Sequence, residues 1–418
     1  MSIALPAVLD YSENHSALPH DMVAYSQTIS PANGSTFGPS SVIQLDFNNR
    51  GFIVPDSIYL RYKYTLTSAV GAQMIGTPFF APFVRLETLF GSTVAESINQ
   101  YNQTANILTN LTMDVGTKIG MQSAFGYNDS TSVASLETLD GRLMILNEVG
   151  TFSGMLPSLL SNCEKLIPAF AMPQIRLQLT LDSIANIFTT AIVPTGFVLS
   201  NVELCYQMLD AGSAIESAVR ASGDKLYIKS QSFTNTSTTL ATGTTGSVSQ
   251  VYNQRLASVK SAFINFSGTS ANSLNRWGDS YDITSANGDY QLQIGGVVYP
   301  QRPLSALNNK NGILQELRRS VGSIYDKNNS LSINAVEWNR VGNDATTYSA
   351  PAKFWVGVCL EKLHSHSLLT GISTANSAIS LQINTSTATA QAHTINLILN
   401  YDALIELDLN NRMVSVKQ

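Results

Sequence analysis

The stretch GFVLSNVELCYQMLDAGSAIESAVRASGDKLYIKSQ, from Gly196 to Gln231, decides how the chain is organised. It begins as a strand, because apolar side chains alternate with less apolar ones from Val202 to Met208. A short helix follows, because Ser213 and Glu216 stand three residues apart, as in a capping box. Lys225–Lys229 is β-like again. This strand–helix–strand unit predicts a junction between two similar all-β domains.

The two sides of this junction carry the same patterns in the same order. The matches lie roughly 190–205 residues apart, which is the size of one eight-stranded jelly roll with its loops. We therefore predict an all-β fold of two tandem eight-stranded antiparallel jelly-roll β-sandwiches with a few short helices. The matching pairs are Asn201-x-x-Leu204-x-Tyr206 with Asn396-x-x-Leu399-x-Tyr401, the alternating run that ends at Leu181 with the run that ends at Ile383, and Gly91 with Gly295-Gly296.

The domain boundaries follow from this repeat. Residues 1–36 lack periodicity and are predicted to form an extended N-terminal arm, with simple disorder as the alternative. The first jelly roll is expected over 37–210, a linker helix over 211–223 and the second jelly roll over 224–418.

The secondary structure within each roll follows from periodicity. An apolar stripe predicts a helix over 94–108, and a second stripe predicts another over 312–325. Residues 114–160 are predicted to be long loops with short strands, and 236–247 a Thr/Gly-rich loop. Period-2 alternation predicts strands at 42–47, 58–66, 84–90, 174–181, 196–209, 225–233, 258–266, 290–294, 297–299, 331–338, 353–360, 377–384 and 393–408.

The composition describes a polar surface with few charges. Charged residues make up 13% of the chain, about half of the usual ~25% of soluble domains, while 44% are hydrophobic. Such a surface suits a protein that packs against many neighbours, because every buried charge must be paired. The alternative is a lightly charged soluble β-sandwich. The formal net charge is −5 and no basic arm is visible, so we expect no direct binding of nucleic acid.

Cysteine usage and the N-terminal sequence bear on the compartment. Cys163, Cys205 and Cys359 are odd in number and widely spaced, which predicts buried reduced thiols and assembly inside a cell. The N-terminus has neither the basic segment nor the long apolar segment of a signal peptide, so none is predicted. No apolar run approaches the ~20 residues that a transmembrane helix needs.

One group of residues suggests a metal site. His364-Ser365-His366 follows a predicted strand, and jelly-roll metalloenzymes of the cupin type use such a His-x-His pair with a nearby Glu and a later His. Here the Glu is absent after His366, and His393 opens a distant strand. We therefore predict a polar loop and neither a metal site nor any cofactor.

Other candidate residues also have structural interpretations. Glu406 and Asp408 form a carboxylate pair, but strand alternation predicts a solvated edge there. The run Glu316–Arg319 is predicted to be a solvated helix face or an inter-subunit ion pair. Trp277, Trp338 and Trp355 are assigned to core packing and not to a sugar-binding surface. No catalytic motif is present, so the chain is predicted not to be an enzyme.

Several segments resemble the double jelly-roll major capsid proteins of the adenovirus hexon and tectivirus lineage, most closely those of virophages and Polinton-like viruses. The resemblance covers most of the chain from about residue 40, and neither half has an obviously large tower insertion. The segments are GFIVPDSIYLRYKYTLTS (Gly51–Ser68), APFVRLETLFGSTVAESINQYNQTANIL (Ala81–Leu108), NQRLASVKSAFINF (Asn253–Phe266) and LQIGGVVYPQRPLSALNNKNGILQELRR (Leu292–Arg319).

This resemblance implies a structural subunit of a DNA virus. Three chains would form a trimer with a pseudo-hexameric outline, and the trimers would tile an icosahedral capsid in the virion, with minor capsid or penton proteins as further partners. In several such viruses an internal membrane or other proteins lie between the shell and the DNA. The alternative functions are a virion or secreted β-sandwich that binds carbohydrate or a receptor, and a jelly-roll enzyme.

Overall fold

The computed structural model describes residues 22–67, 72–113, 115–127, 142–144, 149–188, 194–221, 223–268, 280–284, 288–322, 333, 338, 353–362, 369–389 and 392–418. Strands dominate both halves of the chain.

The first half contains thirteen strands and four α-helices within the described residues. The strands are β1 (Val23–Ile29), β2 (Thr36–Phe37), β3 (Val42–Asp46), β4 (Phe52–Ile53), β5 (Tyr59–Thr67), β6 (Ala72–Met74), β7 (Phe83–Phe90), β8 (Thr93–Asn99), β9 (Arg142–Met144), β10 (Val149–Met155), β11 (Ile167–Pro168), β12 (Ile175–Leu181) and β13 (Gly196–Asp210). The helices are α1 (Tyr101–Thr112), α2 (Val115–Gly120), α3 (Gln122–Phe125) and α4 (Ile184–Ile187).

The second half begins with the linker helix α5 (Gly212–Ala221) and contains one further α-helix, α6 (Lys310–Val321), in its described part. Its strands are β14 (Lys225–Leu240), β15 (Gly246–Tyr252), β16 (Val259–Gly268), β17 (Gly288–Ile294), β18 (Val297–Ser305), β19 (Val356–Cys359), β20 (Ile379–Thr385), β21 (His393–Asp408) and β22 (Met413–Lys417).

The two halves have the same sheet topology, so each is a jelly roll. Each roll has one sheet built on its longest strand, which we call the long sheet, and a facing sheet that we call the short sheet. The four main strands of the long sheets have the orders β10-β5-β13-β1 and β19-β16-β21-β14, and the short sheets have the orders β3-β12-β7-β8 and β15-β20-β17-β18. The first long sheet also contains β2, β4 and β11, and the second also contains β22. Strand for strand, β1, β5, β8, β10 and β13 of the first roll correspond to β14, β16, β18, β19 and β21 of the second. The predicted double jelly-roll fold is confirmed.

The core of each roll lies between its long and short sheets. In the first roll, Tyr62 on β5 packs edge-on against Phe83 on β7, with ring centroids 5.5 Å apart. In the second roll, Phe266 on β16 packs against Tyr290 on β17 at 5.2 Å. These contacts identify which face of each long sheet points inward. The opposite face, which we call the outer face, points away from the roll's own short sheet.

The paired glycines of the repeat occupy equivalent turns. Gly91 joins β7 to β8, and Gly295 joins β17 to β18. Both adopt a left-handed backbone, with φ of 61° and 57°, which favours glycine because it has no Cβ atom. Both turns are therefore strand–strand hairpins, whereas the sequence predicted that a helix follows Gly91.

That helix prediction was wrong for residues 94–99. They form β8, which pairs with β7, and the helix begins only at Tyr101. A register shift after Thr88 disturbs the period-2 alternation of this hairpin, so the spacing of its apolar residues imitates a helix. Gln100, with φ of 49°, separates the strand from α1.

The strand pattern was also incomplete in exposed and polar segments. β1 lies within the predicted arm and has no buried residue, because it is an edge strand with one neighbour, β13. β14 continues to Leu240 through a Thr-rich segment predicted as a loop, because β-branched Thr suits an extended strand. The region 114–160 contains the short strands β9 and β10, as predicted, and also the helices α2 and α3, which were not predicted. The predicted strand 331–338 lies outside the described residues except at 333 and 338.

Candidate functional site

The two rolls meet along a seam, which we define as the contacts of β14 with β8, α1 and residues 156–164. At one end of the seam, the Ser230 hydroxyl donates to the Leu159 carbonyl at 2.5 Å. Further along, Asn162 Nδ2 donates to the Gln231 carbonyl at 3.2 Å, and the Glu164 amide donates to the Lys229 carbonyl at 3.0 Å. The rolls are therefore joined by backbone and side-chain hydrogen bonds in addition to the linker helix.

A buried carboxylate lies at the centre of the seam. Glu96 on β8 is 1% exposed and accepts hydrogen bonds from the Leu159 amide at 2.8 and 3.0 Å and from Thr88 Oγ1 at 2.9 Å. It also accepts one from Ser232 Oγ of the second roll. Burial away from water raises the pKa of Glu96 to about 7, although these three donors act to lower it. This carboxyl group therefore holds its proton to a higher pH than an exposed glutamate does.

Helix α1 covers the outer face of the second roll's long sheet. Thr104 Oγ1 accepts from Asn235 Nδ2 of β14 at 3.3 Å, and Asn110 Oδ1 accepts from Lys353 Nζ at 3.3 Å. Helix α6 covers the β19 edge of the same face, where Leu317 and Ser320 leave no room for a Cβ atom at Gly357. The outer-face residues of this sheet are consequently buried, and they include Asn235, Ser261, Phe263, Asn265, Asn396 and Ile398.

The outer face of the first roll's long sheet is open by comparison, and we call it the open face. The side chains of Arg61 and Glu203 form an ion pair at 2.5 Å and remain 49% and 32% exposed. Tyr59, Met155 and Val198 are exposed apolar side chains on the same face. A groove of about 480 Å³ runs across it between β1, β5, β10 and β13. The alternation that predicted Arg61, Lys63 and Thr65 on the face opposite the core is confirmed.

The residues of the suggested metal site are not brought together in the described part of the chain. His364 and His366 lie outside the described residues. His393 is fully buried at the start of β21, and burial lowers its pKa to about 4. Within the described ranges, no cluster of three or more His, Cys, Asp or Glu residues could hold a metal ion.

The carboxylates singled out from the sequence have structural partners. Glu406 pairs with Lys225 and with Lys417, at 2.6 Å for the latter, and the lysine hydrogen bonds lower its pKa. Asp408 accepts from the Asn411 amide at 3.0 Å, and this bond lowers its pKa as it closes the turn before β22. They support strand ends, and Glu406 is buried, contrary to the predicted solvated edge.

The run Glu316–Arg319 is only partly a solvated face. Leu317 is fully buried, and Glu316 accepts a hydrogen bond from the Cys359 amide at 3.1 Å. Glu316 and Arg319 also form an ion pair at 3.6 Å within α6.

Aromatic and sulfur side chains largely follow the predictions. Trp338 and Trp355 are buried in the core of the second roll, as predicted, and Trp277 lies outside the described residues. All three cysteines are free, but only Cys205 is fully buried, while Cys163 and Cys359 are half-buried. Among the described helices, none is long and apolar enough to cross a membrane.

Sequence reasoning missed the seam itself. Glu96 lay within the helix predicted over 94–108, and no residue was predicted to join the rolls. One usable signal was present, because Ser230 and Ser232 occupy inward positions of a strand where apolar residues are expected. Small hydroxyl side chains at such positions indicate that a polar partner is buried against them.

The fold is similar to that of solved viral capsid proteins. The chain aligns with PBCV-1 VP54, fitted into a reconstruction of the virophage Sputnik, at a TM-score of 0.62 and 11% identity over 97% of this chain and 99% of that one. The Faustovirus major capsid protein gives 0.62 and 8% over 96% and 92%, and the mavirus major capsid protein gives 0.54 and 10% over 100% and 95%. No family model matches the sequence, and no curated protein matches it. This chain has the double jelly-roll fold of these proteins.

Proposed function

We propose that this chain is the major capsid protein of an icosahedral virus and acts as a structural subunit, not as an enzyme. The observation that carries the proposal is the pair of jelly rolls whose main strands follow the same order, aligned over 97% of the chain with a viral capsid protein. A jelly roll alone serves many functions. Two fused rolls of the same architecture give each chain two similar units, which suits tiling.

The proposed working unit is a homotrimer with a pseudo-hexameric outline, because each chain supplies two wedges of the same architecture. Closed cyclic symmetry is the usual arrangement of such homo-oligomers. The trimers would then pack side by side in the virion shell. Minor capsid or penton proteins are the proposed further partners, and the charge balance of −5 favours no direct contact with nucleic acid.

The domain division supports this arrangement. We propose that the first roll spans residues 37–210, the linker helix 211–223 and the second roll 224–418, as in the sequence-based division. β1 pairs with β13 over Val23–Ile29, so the first roll also draws a strand from the predicted arm.

The mass of the purified protein in solution tests this proposal. Light scattering after size exclusion should give three times the 45.1 kDa of one chain, and negative-stain images of that peak should show hexagon-like outlines. A strictly monomeric protein at capsid-forming concentrations would contradict the proposal. Measurement of bound metal and of glycan binding on the same sample would then test the two alternative functions.

A further inference from the structure

We propose that the chain binds ordered water molecules internally, on the outer face of the second roll's long sheet, which we call the covered face because α1 and α6 lie over it. These water molecules complete hydrogen bonds of Asn396 and its neighbours that the protein itself does not make. The inference concerns a single chain and goes beyond the proposed capsid function, so the two can fail separately.

Asn396, on β21, is the residue on which the inference rests. Its side chain is completely buried, and neither its Oδ1 nor its Nδ2 atom has a hydrogen-bond partner among the described residues. Buried side-chain amides are nearly always hydrogen-bonded, because an unpaired donor or acceptor keeps the full cost of its lost hydration. A buried amide with both ends unpaired therefore indicates a bound molecule that can both donate and accept.

The cross-strand neighbours of Asn396 are polar as well. It lies opposite Ser237 on β14 and opposite Asn265 on β16. Side chains in such opposite positions have Cβ atoms about 4.5–5.5 Å apart, which is close enough for polar groups to interact. Asn396 nevertheless makes no hydrogen bond to either of them. Neighbouring polar side chains that are not bonded to each other are a usual setting for a bridging water molecule.

The same arrangement occurs a second time on the covered face. Ser261 of β16 lies opposite Asn400 of β21. The Ser261 Oγ and Asn400 Oδ1 atoms are both buried, and neither has a partner within the part of the chain that the structure describes. The apolar pair Phe263 and Ile398 lies between the two polar pairs. Unpaired polar atoms therefore recur on both sides of one apolar pair.

Helix α1 makes few direct hydrogen bonds to this face. Asn235 Nδ2 donates to Thr104 Oγ1 at 3.3 Å, which is longer than the usual 2.9–3.0 Å. The other amide atom, Asn235 Oδ1, is buried and has no partner in the described ranges. Asn235 is two residues from Ser237 on β14, so it lies diagonally across from Asn396. It thus supplies an unpaired acceptor on the strand next to the unpaired Asn396 donor.

The chemistry of the unpaired atoms selects water as the ligand. The set contains the Asn396 Nδ2 donor together with neutral amide and hydroxyl oxygens of Asn235, Asn396, Asn400 and Ser261. A metal cation satisfies oxygens and not an N–H group, and an anion does the reverse. A water molecule satisfies both, and buried water typically makes about three hydrogen bonds. Ser237, at the β14 end of the row, is exposed and marks a route from solvent.

A high-resolution crystal structure of the full chain tests the proposal directly. We expect water molecules at hydrogen-bond distance, about 2.7–3.2 Å, from both amide atoms of Asn396. Two results would overturn the inference. One is an Asn396 amide that bonds directly to protein atoms at both ends. The other is density for a metal ion with contacts to oxygen atoms alone.

A measurement in solution uses a second buried asparagine as a matched control. Asn102 is 3% exposed, but its Nδ2 atom donates to Asp182 Oδ2 at 3.1 Å. In protein labelled with 15N-asparagine, the side-chain amide protons of Asn396 should show a direct nuclear Overhauser effect to water, and those of Asn102 should not. Asn396→Leu assigns the signal by removing it, and Asn396→Ser serves the same purpose if the leucine variant does not fold. A water signal that is equal at both residues, or absent at Asn396, contradicts the proposal and leaves the capsid proposal unaffected.

Discussion

The outer faces of the two long sheets occupy corresponding positions and differ in chemistry. At one cross-strand position, the first roll has the ion pair Arg61–Glu203, largely open to water. At the same position, the second roll has Phe263 opposite Ile398, at 3% and 0% exposure. One architecture thus carries a solvated polar face in one copy and a buried face in the other.

This difference teaches how a duplicated sandwich adapts to its neighbours. A face that is covered permanently within the chain can carry apolar residues, because it is never exposed in the folded protein. A face that is covered only on assembly must stay soluble before it, and charged residues with scattered apolar ones satisfy that need. The buried Asn235, Asn265 and Asn396 show that the covered face also carries polar side chains.

The largest expected effect comes from removing the apolar residue that marks the covered face. Phe263→Ala should lower the free energy of unfolding by about 3–5 kcal/mol, because it leaves a cavity in the face that α6 covers. Urea unfolding followed by tryptophan fluorescence measures this loss. The matched variant Arg61→Ala, at the corresponding open position, should unfold at a urea concentration close to that of the wild type. Equal losses in the two variants would contradict the contrast between the faces.

The next effect is the pH dependence of stability that the buried carboxyl group of Glu96 gives to the seam. The pKa of Glu96 is raised by burial to about 7 in the folded protein, against an ordinary value of 4.5. The folded state therefore binds this proton more tightly than the unfolded state, so the stabilisation is fully present below about pH 4.5 and is lost as pH rises through about 7. The shift corresponds to about 3 kcal/mol across that window.

The variant Glu96→Gln isolates that dependence. Unfolding free energies of wild type and variant are compared at pH 5 and pH 8, and the difference between the two proteins removes every other titrating group. The wild type should lose more stability than the variant on going to pH 8. Parallel pH profiles for the two proteins would exclude an ionisable seam at Glu96.

The fold could be predicted because its signals are local. Period-2 alternation in β5, β12, β13 and β21 follows directly from one buried and one outward face. The repeat gave the order of the elements, since equivalent strands end in equivalent motifs. Strands with a weaker signal were not predicted. No residue of β1 is fully buried, and β8 lies in a hairpin with a shifted register.

The seam could not be predicted in the same way. The seam depends on which outer face contacts the other roll. That contact is set by the packing of the two domains, and the alternation pattern within each roll does not encode it. Phe263 and Ile398 appear in the sequence as apolar residues at positions that alternation assigns outward. Such positions imply a covering partner, but they do not say whether the partner is α1, α6 or another chain.

The smallest expected effect comes from the linker helix. It tests whether this helix or the seam fixes the position of one roll on the other. No residue of α5 is buried. Arg220 fixes its end to the first roll by donating to the Phe170 carbonyl at 3.1 Å and stacking over the Phe170 ring at 5.1 Å. If the seam contacts of β14 position the rolls, Arg220→Ala should cost about 1 kcal/mol or less in urea unfolding, as expected for one exposed hydrogen bond and cation–π contact. A single unfolding transition should persist. If the variant instead unfolds in two separate steps, the helix and not the seam couples the rolls.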